Sequence, residues 1–189
     1  MESNSLSLMA PGLIETSWNE AEALGSATWL WMHSKSHQNF PLHALPVLLL
    51  PAIKRRQFIV AIDSGRPVFY LSWANLSEDA ERRYLAKSPL LMPEADWNCG
   101  DRMWILDWVA PFGHTQVMSR ILRNQLFSNR WARALHHRGN ERGIQIRTYR
   151  GMAVFRKEAH EWFKNHPVAY PQRRTARHAP KANFSSVEE

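Results

Sequence analysis

An acid inside an apolar strand is the residue that most needs explaining. The stretch Gly100-Asp101-Arg102-Met103-Trp104-Ile105-Leu106-Asp107-Trp108-Val109-Ala110-Pro111-Phe112-Gly113 reads as a strand from Arg102 to Val109 with a Pro-x-Gly turn at its end. Val, Ile and Trp favour a pleated, buried surface. A charge set among them is costly unless it is paired, so Asp107 should have a partner. The best candidate lies about seventy residues upstream, His37 in Trp29-Leu30-Trp31-Met32-His33-Ser34-Lys35-Ser36-His37. Imidazole held by a carboxylate is a general base that works near neutral pH. By residue type alone, a lone histidine near a helix end is more often structural or solvated.

Three other residues could do chemistry. Ser34 lies three positions before His37, about one helical turn away, and either bonds its own backbone or orients the imidazole. Its loss should reduce activity less than the loss of His37. His33 and His37 have the i, i+4 spacing of a helical metal pair, but the chain has no HExxH glutamate, so no metal is expected. Cys99 is the single cysteine, which excludes an internal disulfide, fits a reducing compartment and leaves one free thiol as a conceivable nucleophile.

The elements that must position these groups follow from pattern. Ser17-Trp18-Asn19-Glu20 reads as a capping box, which predicts a helix over 18–35 with Leu24, Ala27, Trp31 and Ser34 along one face. Residues 41–50 predict a short second helix ending near Pro51. Two apolar runs, 57–62 and 67–73, flank Asp63-Ser64-Gly65-Arg66 and predict a β-hairpin. Ser77 caps a helix over 77–87 with acids in its first turns. Further helices are expected over 115–127 and 156–164, and strands over 131–137 and 144–149 around Gly139-Asn140. Asp101 should cap its turn or pair with Arg102. This mixture predicts an α/β (α+β) domain over 16–168, with a mostly antiparallel central sheet flanked by helices. A flexible arm over 1–15 and a basic, disordered tail over 169–189 complete the chain.

Composition narrows the function. The chain has 189 residues, 44% of them hydrophobic, enough for one domain with a sizeable core. The N-terminus has no secretory signal pattern, and the longest apolar run, 44–53, is about half a membrane span, so a cytoplasmic protein with no integral membrane segment is expected. The net charge of +7 implies an acidic partner or simply a solvated basic face. Nucleic acid is not favoured: there is no helix-turn-helix, zinc-finger or RNP pattern, and the tryptophans are not interleaved with Lys and Arg as a stacking platform would be.

Four blocks together resemble one family. Trp29–Leu42, Leu50-Pro51-Ala52-Ile53, Ser72-Trp73-Ala74-Asn75-Leu76 and Gly100–Gly113 are similar, in order and spacing, to the RTX toxin-activating lysine acyltransferases of Gram-negative bacteria. The match runs from Trp29 to Gly113, with weaker similarity to His166. The resemblance implies a fold like the GCN5-related N-acetyltransferases. It implies a protein-lysine fatty acyltransferase that takes its acyl group from acyl carrier protein and activates an RTX protoxin on internal lysines. The histidine two positions before Asn39-Phe40-Pro41 is then the catalytic one, His37, and the aspartate of Leu106-Asp107-Trp108 is its partner. Ser34 matches a serine of the family motif. Serine is common near the position of Cys99, which speaks against an essential thiol. No Arg/Gln-x-x-Gly-x-Gly/Ala phosphate loop is present, in keeping with a carrier-protein donor and no bound cofactor. Members can pair as homodimers. His114, Met32 and His33 depart from the family pattern, and the second half matches loosely. His37 could act as base on the lysine or attack the thioester itself to form an acyl-imidazole. The competing readings are a non-catalytic toxin-binding module or chaperone, and a small basic nucleic-acid binder.

Overall fold

The computed structural model describes residues 6–86, 92–137 and 144–170. Six strands form one sheet in chain order: β1 (Ser7–Met9), β2 (Phe58–Asp63), β3 (Arg66–Leu76), β4 (Arg102–Val109), β5 (Trp131–His137) and β6 (Ile144–Arg150). All neighbours are antiparallel except β4 and β5, which run parallel. The helices are α1 (Glu20–Met32), α2 (Leu45–Leu48), α3 (Leu50–Lys54), α4 (Glu78–Ala86), α5 (Thr115–Ile121) and α6 (Arg156–Asn165). A 3-10 turn, Leu42–Ala44, leads into α2. The fold is a single mixed α/β domain, as the pattern implied.

The β2–β3 hairpin turns where Ser64 and Gly65 both take positive φ, 50° and 76°, the backbone of a two-residue loop whose twist matches the strands it joins. β3 is buried from Val68 to Ala74, as a strand covered on both faces must be. One face carries Ile59, Phe69, Leu71, Trp73, Met103 and Ile105 against Met118 and Leu122. The other packs Phe58, Val60, Tyr70 and Val109 against Leu30 and Trp31 of α1 and Ile53 of α3. Beside it, Ala74, Leu76 and Trp104 meet Ala80 and Tyr84 of α4.

Several local expectations are corrected. The cap of α1 is Asn19, whose side chain accepts from the Glu22 N–H at 2.8 Å, not Ser17. The helix ends at Met32, three residues early, and a run of turns follows. The segment 41–50 holds a 3-10 turn and α2, and the helical path continues through α3 beyond Pro51, because proline is tolerated in the first turn of a helix. The expected helix over 115–127 changes to a π-turn at Leu122–Leu126. Residues 7–9, within the expected flexible arm, form β1 on the edge of β2. Asp101 faces His166 at 3.5 Å, while Arg102 pairs instead with Glu81 and Glu78. Gly139 and Asn140, and the tail from 171 onward, lie outside the described residues.

Glu81 of α4 is fully buried and heavily partnered. Arg102 Nη1 reaches it at 2.7 Å, Arg133 Nη1 at 2.8 Å, and the Trp104 indole N–H and the Ala169 backbone N–H donate to it at 2.8 and 3.0 Å. The two arginines also donate to the carbonyls of Pro167 and His166. Ala169, the first residue of the expected tail, is thereby tied to the core. A buried carboxylate is tolerated only with such full pairing.

Candidate functional site

His37 and Asp107 meet. Nε2 of His37 lies 2.9 Å from Oδ1 of Asp107, with the side chains 16% and 13% exposed. The contact depends on an irregularity in β4. Met103 and Ile105 face the α5 side, and strict alternation would send Asp107 there too. The β3–β4 register breaks between Ser72, which pairs with Asp107, and Trp73, which pairs with Ile105, so Leu106 is the extra residue. This bulge leaves Leu106 and Asp107 on the α1 and α4 side and returns Trp108 to the other face. The strand then stops in a turn where Gly113 takes φ 88°, and Gly100 opens it where a Cβ would sit 2.4 Å from the Leu76 carbonyl oxygen.

Around this pair the hydrogen bonds are well defined. The Trp31 indole N–H donates to Asp107 Oδ2 at 2.7 Å, and the Trp108 backbone N–H donates to Oδ1 at 3.1 Å. The Trp31 ring also lies 5.0 Å from the imidazole at an interplanar angle of 30°. On the far ring nitrogen, His37 Nδ1 has the Ser34 hydroxyl at 2.8 Å and the Ser36 hydroxyl at 2.9 Å. Nε2–H bonded to the carboxylate leaves Nδ1 as the nitrogen with the free lone pair. Below Asp107, Tyr70 is fully buried. Burial first, and the Asp107 charge second, push its hydroxyl far above the ordinary phenol range, with the Ser72 hydroxyl opposing. Tyr70 is therefore a neutral neighbour of the carboxylate.

Ser34 thus joins the pair, although a turn rather than a helix brings it there: His37 N–H bonds Ser34 O at 3.0 Å. His33 does not join. Its Nδ1 meets the Trp29 carbonyl at 2.8 Å and its ring packs on Phe112. Cys99 lies elsewhere, its sulfur accepting the Ser77 N–H at 3.3 Å. Two participants escaped the sequence reading. Trp31 was placed on the same helix face as Ser34, which was the available signal, but its N–H needed a partner 76 residues away. Ser36 gave no signal beyond standing next to His37.

Across β4, on the α5 face, Met103, Ile105, Trp108, Leu122, Phe127 and Ala132 line an apolar pocket of about 500 Å³ counting its open mouth. β4 and β5 pair only at Trp104–Arg133 and Ile105–Ala134 among the described residues, so the pairing ends two positions before Asp107.

Comparison with known proteins finds lysine acyltransferases among the relatives of this chain. The leukotoxin-activating lysine-acyltransferase LktC of Mannheimia haemolytica serotype A1 is 45% identical over 95 residues, which span 50% of this chain and 56% of that protein. The protein-lysine myristoyltransferase RtxC of Kingella kingae is 36% identical over 143 residues, 76% of this chain and 84% of that one. The leukotoxin-activating lysine-acyltransferase LtxC of Aggregatibacter actinomycetemcomitans is 35% identical over 148 residues, 78% and 87%. Among solved structures, the loading GNATL domain of CurA from Lyngbya majuscula aligns with TM-score 0.47 and 12% identity over 70% of this chain and 65% of that one. The RTX toxin acyltransferase family model matches residues 16–150, and the chain belongs to that family.

Proposed function

We propose that this acyltransferase moves a fatty acyl group from acyl carrier protein to internal lysines of an RTX protoxin in the cytoplasm, with His37 as general base and Asp107 as its orienting partner. The observation that carries the reading is the 2.9 Å contact between Nε2 and Oδ1, made by two residues seventy positions apart and aligned by a strand bulge. The relatives named above are lysine acyltransferases, and the one from Kingella kingae is a myristoyltransferase. Among the described residues no helix is long and apolar enough to cross a membrane.

The chemistry requires such a pair. A lysine with an ordinary pKa near 10.4 is protonated at pH 7, and freeing its amine costs roughly 4–5 kcal/mol. Nδ1 of His37 takes that proton while Asp107 steadies the imidazolium through Nε2. The amine attacks the thioester carbonyl, the adduct nitrogen loses its second proton to solvent water as the C–S bond breaks, and the thiol leaves with the proton from Nδ1. Trp31 holds the second carboxylate oxygen and so fixes the orientation of the first. The apolar pocket across β4 is the candidate site for the acyl chain.

The test is peptide mass spectrometry of a cognate protoxin co-expressed with wild type or His37→Ala. Lysine acylation by wild type alone is expected. Acylation by both removes His37 from the mechanism, and acylation by neither leaves a toxin-binding module.

A further inference from the structure

His37 Nδ1 is not open to an approaching substrate. Two hydroxyls stand on it, Ser34 Oγ at 2.8 Å and Ser36 Oγ at 2.9 Å, and they lie 3.0 Å from each other. A neutral imidazole whose Nε2–H is given to a carboxylate has one lone pair left, at Nδ1, so one hydroxyl donates to it at a time. The other can donate to its neighbour's oxygen within the same triangle. The two arrangements interconvert by rotating two hydroxyls. The positions differ in access. Ser34 is half-buried beside the ring, whereas Ser36 is exposed. The ring itself lies 5.0 Å from Trp31 and 5.8 Å from Phe40, centroid to centroid. Of the groups bonded to Nδ1, Ser36 is therefore the one that faces a protein substrate.

We propose that Ser36 is a catalytic proton relay between the acceptor lysine and His37. This rests on the reading of His37 as the base. The lysine ammonium passes a proton to Ser36 Oγ as the serine's own proton moves to Nδ1. Ser36 stays neutral throughout, the amine gains its lone pair, and the imidazolium is held by Asp107. After the amine adds to the thioester carbonyl and the C–S bond breaks, the proton returns through the same hydroxyl to the departing thiolate. The adduct nitrogen loses its second proton to solvent water, so the amide forms neutral and one proton is released overall. The cyclic array of hydroxyls spares the bulky ammonium from wedging between Ser34 and the ring. Polarisation along such a chain strengthens each bond in it.

Ser36→Ala, Ser36→Thr and His37→Ala are assayed with a purified fatty acyl-carrier protein and a protoxin acceptor, in H₂O and in mixtures with D₂O. Folding is checked by circular dichroism, and Ser36→Thr keeps the test alive if Ser36→Ala misfolds. Ser36→Ala is expected to lower kcat about tenfold, less than the factors of 10² to 10⁴ typical of a whole general base, with both KM values within about twofold. Ser36→Thr should recover most of that rate. The dependence of kcat on deuterium fraction, curved in wild type because several protons move together, should become linear in Ser36→Ala. Unchanged kcat, or a lowered kcat with the same curvature, or no rescue by threonine, overturns the relay. If His37→Ala retains wild-type kcat, the underlying reading of the base fails instead, and the two failures are told apart in one experiment.

Discussion

Trp31→Phe removes the indole N–H from the site, together with the nitrogen-bearing part of the ring. The six-membered ring that remains still fills most of the buried place on α1, in the cluster with Leu30, Val60 and Val109. What disappears is the N–H donated to Asp107 Oδ2 at 2.7 Å. A hydrogen bond to a charged group contributes roughly 1.5–3 kcal/mol. The carboxylate keeps its charge but loses that stabilisation, and recovers part of it by holding the imidazolium more tightly. Half of that amount expressed in the barrier is, at about 1.36 kcal/mol per factor of ten, about threefold to tenfold in rate. The rate on the plateau should fall about threefold to tenfold, because Asp107 is also less firmly oriented. The assay is acyl transfer to a protoxin from pH 5 to 9, with donor saturating. An unchanged rate, or a loss as large as that of His37→Ala, would refute the assignment of Trp31 as a positioning residue for the carboxylate.

Other perturbations reach further from the base. Glu81→Gln leaves the buried Arg133 without its counter-charge and Arg102 with only the exposed Glu78, and urea denaturation should show a loss of about 3–5 kcal/mol, the range for breaking a buried ion pair. Ala132→Leu adds three carbons to the wall of the apolar pocket, and a series of donors of increasing chain length should show a preference shifted to shorter chains. Cys99→Ser should keep acyl-transfer activity within about twofold, since the thiol caps the start of α4 rather than facing His37; inactivity of a folded variant would restore covalent cysteine catalysis.

Elements whose signal is local were legible in the chain. The β2–β3 hairpin showed itself through Asp63-Ser64-Gly65-Arg66, because only that turn chemistry suits the strand twist. β4 begins and ends where its apolar run does, and α6 starts at Arg156 as its pattern predicts. Elements that depend on distant partners were not. β1 is three residues long and acquires its identity from hydrogen bonds to β2, more than fifty positions on. The parallel contact of β4 with β5 leaves no mark in either strand. At the site, a carboxylate among apolar neighbours announced that Asp107 needed a partner, and the family resemblance named the same histidine. The bulge at Leu106 was hidden, because a strand's pattern does not reveal which residue is the extra one. Asn19 displaced Ser17 as helix cap for a similar reason: both can accept a backbone N–H, and tertiary packing of Trp18 on Phe58 decides where the helix begins.

The partners of Glu81 are made in a fixed order on the ribosome. Arg102 follows it by 21 residues, Arg133 by 52 and the Ala169 N–H by 88. At roughly 5–20 residues per second, the last of these is synthesised about 4–18 s after the carboxylate. Through that interval α4 cannot settle on the sheet with its acid satisfied, although β1 to β3 precede it and β4 is complete at Val109, 28 residues after Glu81. Completion of the core thus waits for the final described residues. The nascent chain spends those seconds with an apolar sheet face exposed, a period in which a holding chaperone would have its largest effect on yield.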